Sequence, residues 1–460
     1  MKKFVSFVVM VLLSGLLSAC TVSGVPANIP ATQPDDIAYA KCFSSRMVLQ
    51  RDKPVRIFGT GEDGVQVFVD FAGQRGTTRV LNGQWAVTLQ PMEACATGRE
   101  LTIFSAGGRY VLKNVLVGDV WVCSGQSNMA YTPDDFSMWE DPRILAAAEN
   151  DLLRLSKTEF QTAYDQQTDR YYPSGARTYP WYTGDACADY SAYSVIFAQR
   201  LYEVTDVPIG VFQVAMNSSE IAWWVPGGNC YQYGFFPYAG MAVKGVLWYQ
   251  GENDARFVKD FRESYPQQFQ LFCAGLRTLF EDASLPIYTT QLASYDWTSA
   301  DWRDMRMLQI QMAQAPEVYL VPNSDYDADF TNIHPATKDR LGVRAAELVL
   351  ANTYGINGFV KTFPCVDRVE SCADGVVVWF QDLSGALAAQ GAVREFRVCG
   401  ADGIYVDAHA EIIADDCVKV FVPEGMDVTH ISYCYSNVTS PNLTDGVNPI
   451  LNFVKEMGTQ

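Results

Sequence analysis

With three histidines in 460 residues, the sequence leaves few ways to build a base. Chemistry that needs an imidazole must use His334, His409 or His430, so elimination becomes informative. The same scarcity, together with the lack of any Cys-x-x-Cys pair, argues against a zinc site, and no metal or organic cofactor is expected. Positive charge is short as well: 34 Lys and Arg stand against 52 Asp and Glu, a formal net charge of -18. Such a field repels nucleic acid and anionic membrane surfaces, which leaves a neutral or locally neutralised substrate. Beyond residue 20 no apolar run reaches eighteen residues, the length a spanning helix needs.

The beginning of the chain is different in kind. Lys2 and Lys3 precede an apolar run from Phe4 to Leu17, too short to span and built like a secretory signal, which ends in LLSAC. Small residues before Cys20 are similar to a bacterial lipobox, so Cys20 is expected to carry the lipid and to hold the mature chain at the bacterial cell envelope. The plain alternative is an ordinary signal cut near Ala19. Setting Cys20 aside leaves eleven cysteines. An oxidising compartment permits disulfides, and an odd number leaves at least one free thiol, for which Cys123 at the end of an apolar strand is the candidate.

Patterning divides the rest. Residues 1–20 read as the signal and 21–40, containing TVSGVPANIPATQPDD, as a flexible tether. From 41 to 114, short alternating runs such as VQVFVDFAG and NGQWAVTL, bounded by Gly, Asn and Asp, predict an N-terminal β module. From 115 to 356, strand-like VPIGVFQVAM, GVLWYQG and LPIYTTQLA interleave with helix-like SAYSVIFAQRLYEV and RLGVRAAELVLANTY. That alternation predicts an α/β domain, its mostly parallel sheet covered by helices on both faces. Alternation returns from 357 to 460, so a second β module closes the chain.

In an α/β sheet, ligands bind beyond the carboxyl ends of the strands. Ser127, in GDVWVCSGQSNM, sits at such an end: Gly125 permits a tight turn, and a following helix would aim free N–H groups at a developing oxyanion. The competing reading is a simple helix cap. A nucleophilic serine needs a base. His409 and His430 fall in strands of the C-terminal module, whereas His334, in TNIHPATKDRLGVRAA, stands where a loop enters a helix, with Pro335 suited to the first helical turn. A third polar turn, Gln250-Gly251-Glu252-Asn253, follows the strand-like GVLWY and brings amide donors to the same sheet edge.

Taken together, NVLVGDVWVCSGQSNM, PIGVFQVAMNSSEIAWW, GVLWYQGENDA and IHPATKDRLGVRAA resemble the sialate O-acetylesterase family of SGNH-type carbohydrate esterases, and CFSSRMVLQRDKPVRIFGTG resembles its leading β-sandwich. The likeness runs over roughly residues 41 to 355. It implies a three-layer SGNH-like core flanked by β-sandwich-like modules, and a serine hydrolase that removes acetyl groups from glycans, sialic acids first. Acetylated xylan or another polysaccharide is the alternative substrate, and a surface protein that binds glycans without hydrolysing them is the alternative class. By position the resemblance makes Ser127 the nucleophile and His334 the base. Gln250 becomes the side-chain oxyanion donor, with Asn253 as runner-up, and Gln126 and Glu252 join the oxyanion and substrate-binding set. Arg306 lines up with an arginine of the family's corresponding helix and is a candidate substrate contact, with a solvated helix face as the alternative, and Trp223, Trp224, Tyr131 and Trp181 are candidates for an aromatic wall.

Two positions depart from the family pattern. Met216, Asn217, Ser218 and Ser219 stand where Trp-Gly-Gly-Thr is usual, so Asn217 or Ser218 must supply the N–H a glycine would offer. Thr331 stands three residues before the histidine, where many SGNH enzymes have an aspartate. Asp329 is the expected substitute, ahead of Asp325 and Asp327; otherwise the base works as a dyad with a backbone carbonyl as its orienter. An Gly-x-Ser-x-Gly hydrolase elbow is excluded, because Met129 occupies the second glycine position.

Overall fold

The computed structural model describes residues 29, 31–167, 170–299, 301–325 and 329–458. The signal segment, Cys20, most of the tether and Asp327 therefore lie outside the described residues.

Strand Arg109–Gly125 organises the molecule. Its seventeen residues begin in a hairpin with Cys95–Phe104 and end deep in the α/β region, so one strand runs across the boundary between the first two modules. From Val115 onward every residue of it is buried, as a strand covered on both faces requires. Its parallel neighbours are Ile209–Ala215 on one side and Gly245–Tyr249 on the other, and the sheet continues outward through Leu153–Asp165 and through Ile287–Thr290 and Val318–Val321. These six strands are parallel. The whole sheet has twelve strands and is mixed, since Arg170–Thr178 and the N-terminal hairpins join it antiparallel.

Helices cover both faces, and adjacent residues show how. Side chains alternate along a strand: Tyr249 meets Tyr193 of helix Ala192–Thr205, while Trp248 meets Phe272 of helix Phe261–Leu279 on the other side. Helix Lys338–Asn352 packs beside Ala192–Thr205, close enough that a Cβ on Gly342 would reach Ile196 Cγ2 at 2.7 Å.

One apolar core runs from Ile37 to Phe363, through both the N-terminal hairpins and the α/β layers. Within it the strand Ile37–Tyr39, at the end of the segment read as tether, pairs with Val55–Gly61. A second core, Val376 to Phe453, belongs to two four-stranded antiparallel sheets at the C-terminus. Polar contacts join them: Ser294 and Thr439 exchange a hydrogen bond of 2.9 Å, and Asn437 donates to Trp297 O at 2.7 Å.

Among the described residues the expected disulfides are not formed. All eleven described cysteines are separate thiols, most of them buried singly in different elements, and Cys365 and Cys372 lie at opposite ends of one strand. Burial pushes the Cys123 thiol above its usual range, as suits an inert core residue. Among the described residues no helix is long and apolar enough to cross a membrane.

Candidate active site

Gly125, Ala215 and Tyr249 end three adjacent parallel strands in register, so the turns that follow them meet at one edge. The chain has moved from one side of Arg109–Gly125 to the other between Ala215 and Gly245, the switch point where an open α/β sheet leaves a crevice. Gly125 adopts φ +146°, and a Cβ there would come within 1.9 Å of Tyr249 O. Only glycine lets the strand turn so close to its neighbour. Ser127 then opens a one-turn helix, Ser127–Ala130, whose first N–H has no intrahelical acceptor.

His334 reaches this point from 207 residues away. Its Nε2 lies 2.8 Å from Ser127 Oγ, with Ser127 only 7% exposed. With the ring proton on Nδ1, the hydroxyl donates and the imidazole accepts. Burial first, then the charges of Lys338 and Arg256, hold His334 below its usual pKa, against a smaller opposing pull from Asp135. A neutral imidazole is the form that can take the serine proton. The Tyr131 ring flanks it at 4.5 Å between centroids. His334 is not at a helix start, however: Pro335 remains in the loop, and the helix begins at Lys338.

Asp329 does not orient this imidazole. It is exposed, and its Oδ1 accepts from the N–H and hydroxyl of Thr331 at 2.9 and 2.6 Å, which holds its carboxyl below the usual range. A side-chain oxygen two residues from its own turn satisfies that turn first. Asp325 is taken by a two-point pair with Arg344. Among the described residues no carboxylate hydrogen-bonds to His334. Of the other histidines, His430 begins strand His430–Tyr433, and His409 lies exposed just ahead of strand Ala410–Ala414, bonded to Glu411.

A buried network takes over the positioning. Asn128, next to the serine, donates to Ile333 O at 3.1 Å and to Glu252 Oε1 at 2.6 Å, and accepts from Lys338 Nζ at 2.9 Å. Lys338 also donates to Pro335 O at 2.6 Å. The backbone is thus gripped on both sides of His334. Glu252, expected to bind substrate, instead sits under the site with Oε2 unpartnered. Burial drives Glu252 and Lys338 toward their neutral forms, each to about 7, while their mutual attraction opposes this. Sequence reasoning passed over Asn128 and Lys338, although there was a signal: Lys338 shares the helix stripe of Leu341, Ala345 and Leu348, which is buried.

The third segment supplies a different amide from the one expected. Gln250 is fully buried, and its N–H groups go to Ser219 O at 2.9 Å and Asp254 Oδ2 at 2.5 Å, with Gln126 Oε1 at 3.3 Å. Its own Oε1 accepts from the Tyr265 hydroxyl at 2.9 Å. No side-chain N–H of Gln250 remains for an oxyanion. Asp254 is itself pushed up to about 8 by burial. Gln126 also accepts from Asn253 N–H, at 3.4 Å, and so acts as a strut between segments. Asn253 is half-buried and its side-chain amide is lightly held, 3.5 Å from Glu220 Oε1.

Asn253 lines an open cleft of about 380 Å³ with Asn217, Ser218, Met216, Trp223, Phe257 and Tyr171. Ser218 takes φ +56°, so the left-handed turn of a glycine is kept by a serine at a cost of roughly 1 kcal/mol. Trp224 and Trp181 are core residues rather than wall, both nearly without exposure. Arg306 is likewise remote from the cleft. Fully buried, it donates to Ser436 O at 3.0 Å and Thr439 Oγ1 at 3.1 Å, fastening the C-terminal module to the α/β layer.

The family described as carbohydrate esterase, sialic acid-specific acetylesterase, matches residues 117–351. The chain is similar to the sialate O-acetylesterases of Homo sapiens and Pongo abelii, each 24% identical over 406 residues, with 73% of this chain and 74% of the relative covered. Among solved structures it is similar to a carbohydrate acetylesterase from Xanthomonas citri, with a TM-score of 0.81, 28% identity, and coverage of 91% of this chain and 99% of that one.

Proposed function

We propose that this chain, which belongs to the sialic acid-specific acetylesterase family of carbohydrate esterases and is a carboxylic ester hydrolase, removes O-acetyl groups from sialic acids through an acetyl-enzyme on Ser127. The contact of 2.8 Å between Ser127 Oγ and His334 Nε2 carries the reading. Ser127 Oγ attacks the acetyl carbonyl as His334 takes its proton. The oxyanion is met by the N–H of Ser127, an N–H of the turn at Asn217 and Ser218, and the amide of Asn253. His334 returns the proton to the departing sugar hydroxyl. Water, deprotonated by the same imidazole, then attacks the acetyl carbonyl, and acetate leaves as Ser127 recovers its proton.

Asp329 has no part in this scheme, and among the described residues no carboxylate stands behind the imidazole. The network of Asn128 and Lys338 supports that version, because it fixes the loop through backbone carbonyls on either side of the ring.

The test is acetate release from O-acetylated sialic acid and from acetylated xylan by the parent protein and Ser127→Ala. The reading expects the parent to prefer the sialic acid and the variant to lose at least about 10³-fold in rate. Equal background for both proteins on either ester, and on 4-nitrophenyl acetate, would return the chain to the class of glycan-binding surface proteins.

We further propose that the enzyme is held at the bacterial cell envelope through acylated Cys20. Lys2, Lys3, the apolar run to Leu17 and the LLSAC sequence support this. Cys20→Ser should move the protein from the membrane fraction to the soluble one; a protein that was never in the membrane fraction refutes it.

A further inference from the structure

We propose that Arg256 is the anion-binding side chain of this site and takes the carboxylate of an acetylated sugar acid.

Arg256 is one of the arginines that no carboxylate claims among the described residues. Among the described residues ten arginines pair with carboxylates, and Arg306 is spent on the C-terminal module. Arg256 makes neither an ion pair nor a hydrogen bond there, in a chain with 52 acidic residues to choose from. Its Nε is buried without a partner, as is that of Arg154, but Arg154 is a core residue bonded to Asn114. The guanidinium is nonetheless held firmly, stacked 4.8 Å from the Phe257 ring and 4.6 Å from the Trp297 ring. A planar fork fixed between aromatic rings loses little freedom on binding and matches the geometry of a carboxylate.

The position suits this role. Arg256 lies on helix Glu252–Phe257, three residues after Asn253 and so on the same side of it. Asn253 bonds to Gln126, the residue before Ser127, and both Asn253 and Phe257 line the cleft. The charge of Arg256 is also felt at His334. Asn253 and Phe257, on the same short helix, line the cleft with Trp223 and Tyr171, so a carboxylate on Arg256 would hold the sugar beside that cleft. The overall charge of -18 makes such a cation useful, since an anionic sugar must otherwise approach a repelling surface. A neutral xylan backbone offers Arg256 hydroxyl acceptors but no charge to pair with.

This inference rests on the esterase reading above. Sialic and uronic acids share the carboxylate, so the substrates for the test are an O-acetylated sialic acid, an acetylated galacturonic acid oligomer, an acetylated xylo-oligosaccharide and 4-nitrophenyl acetate. They are compared for the parent, Arg256→Gln, Arg256→Lys and Ser127→Ala, at a pH well above the titration of His334. For Arg256→Gln the ratio of kcat/KM on the preferred acidic sugar to that on neutral esters should fall roughly 50-fold, the size expected for a charge-assisted hydrogen bond pair. The loss should sit in KM, and Arg256→Lys should recover part of it. Whichever acid shows the larger effect identifies the source of the carboxylate. An unchanged ratio, or a parent that prefers the neutral xylo-oligosaccharide, overturns the assignment of Arg256. If Ser127→Ala keeps the parent's rates throughout, the esterase reading beneath it fails instead.

Discussion

Asn128 accepts a hydrogen bond of 2.9 Å from the ammonium of Lys338, joining the residue after the serine to a residue four past the histidine. Through this bond the two catalytic segments share one support, and both ends are buried. Removing Asn128 strands Glu252 Oε1 and part of the Lys338 ammonium. Asn128→Ala should therefore cost about 2–3 kcal/mol of stability, read as a lower midpoint in thermal unfolding. It should also lower kcat by about 10–100-fold with KM little changed, because the loop of His334 is no longer held in line with the hydroxyl. Parent-like kcat in the folded variant would remove Asn128 from the support.

Lys338 offers a pH test. Activity requires neutral His334, so the rate falls on the acid side as the ring takes a proton. Lys338 lies near enough to lower the His334 pKa, and below its own value of about 7 it carries its charge while that limb is measured. Lys338→Met deletes the charge. The His334 pKa then rises, and the acid limb of kcat/KM moves to higher pH. An unmoved limb in a folded variant would show that the Lys338 charge does not reach the imidazole.

Asp329→Asn should do almost nothing. In serine triads loss of the orienting acid costs about 10⁴-fold. Here the carboxyl is exposed and bonded to Thr331, so the change belongs with surface substitutions, within about 0.5 kcal/mol or roughly a factor of two in rate. Initial rates on 4-nitrophenyl acetate decide it, and a thousandfold loss would restore Asp329 to the triad.

Two neighbouring amides should separate cleanly. Asn253→Ala removes the proposed oxyanion donor and should lower kcat by about 10²–10³-fold while the unfolding midpoint stays near the parent's. Gln250→Leu leaves the Asp254 carboxyl and the Tyr265 hydroxyl buried without this partner, so it should appear first as lost stability of about 1–3 kcal/mol. Paired unfolding curves and initial rates check both. A stable, inactive Gln250→Leu would return the donor role to Gln250.

Much was legible in the sequence because it is written locally. Alternating runs marked the β modules, and strand-helix alternation marked the α/β region. Ser127 stood at a strand end beside a glycine that only glycine could replace, and three histidines left little choice of partner. The family likeness followed from four segments quoted in order, and the match over residues 117–351 agrees with it.

Other features depended on what the folded chain packs against each residue. A glutamine and an asparagine three residues apart are chemically equivalent donors until packing surrounds Gln250 with acceptors and leaves Asn253 at the cleft. An aspartate near a histidine in sequence orients it only if no nearer partner claims it, and Thr331 does. Arg306, read from the sequence as a substrate contact, is enclosed by the C-terminal module, while Arg256 has no hydrogen-bond partner among the described residues. Sequence determines which groups are present and which turns can form. Which hydrogen-bonding capacity is spent and which is left over is decided by long-range packing, because a buried donor or acceptor takes whatever partner the fold brings to it.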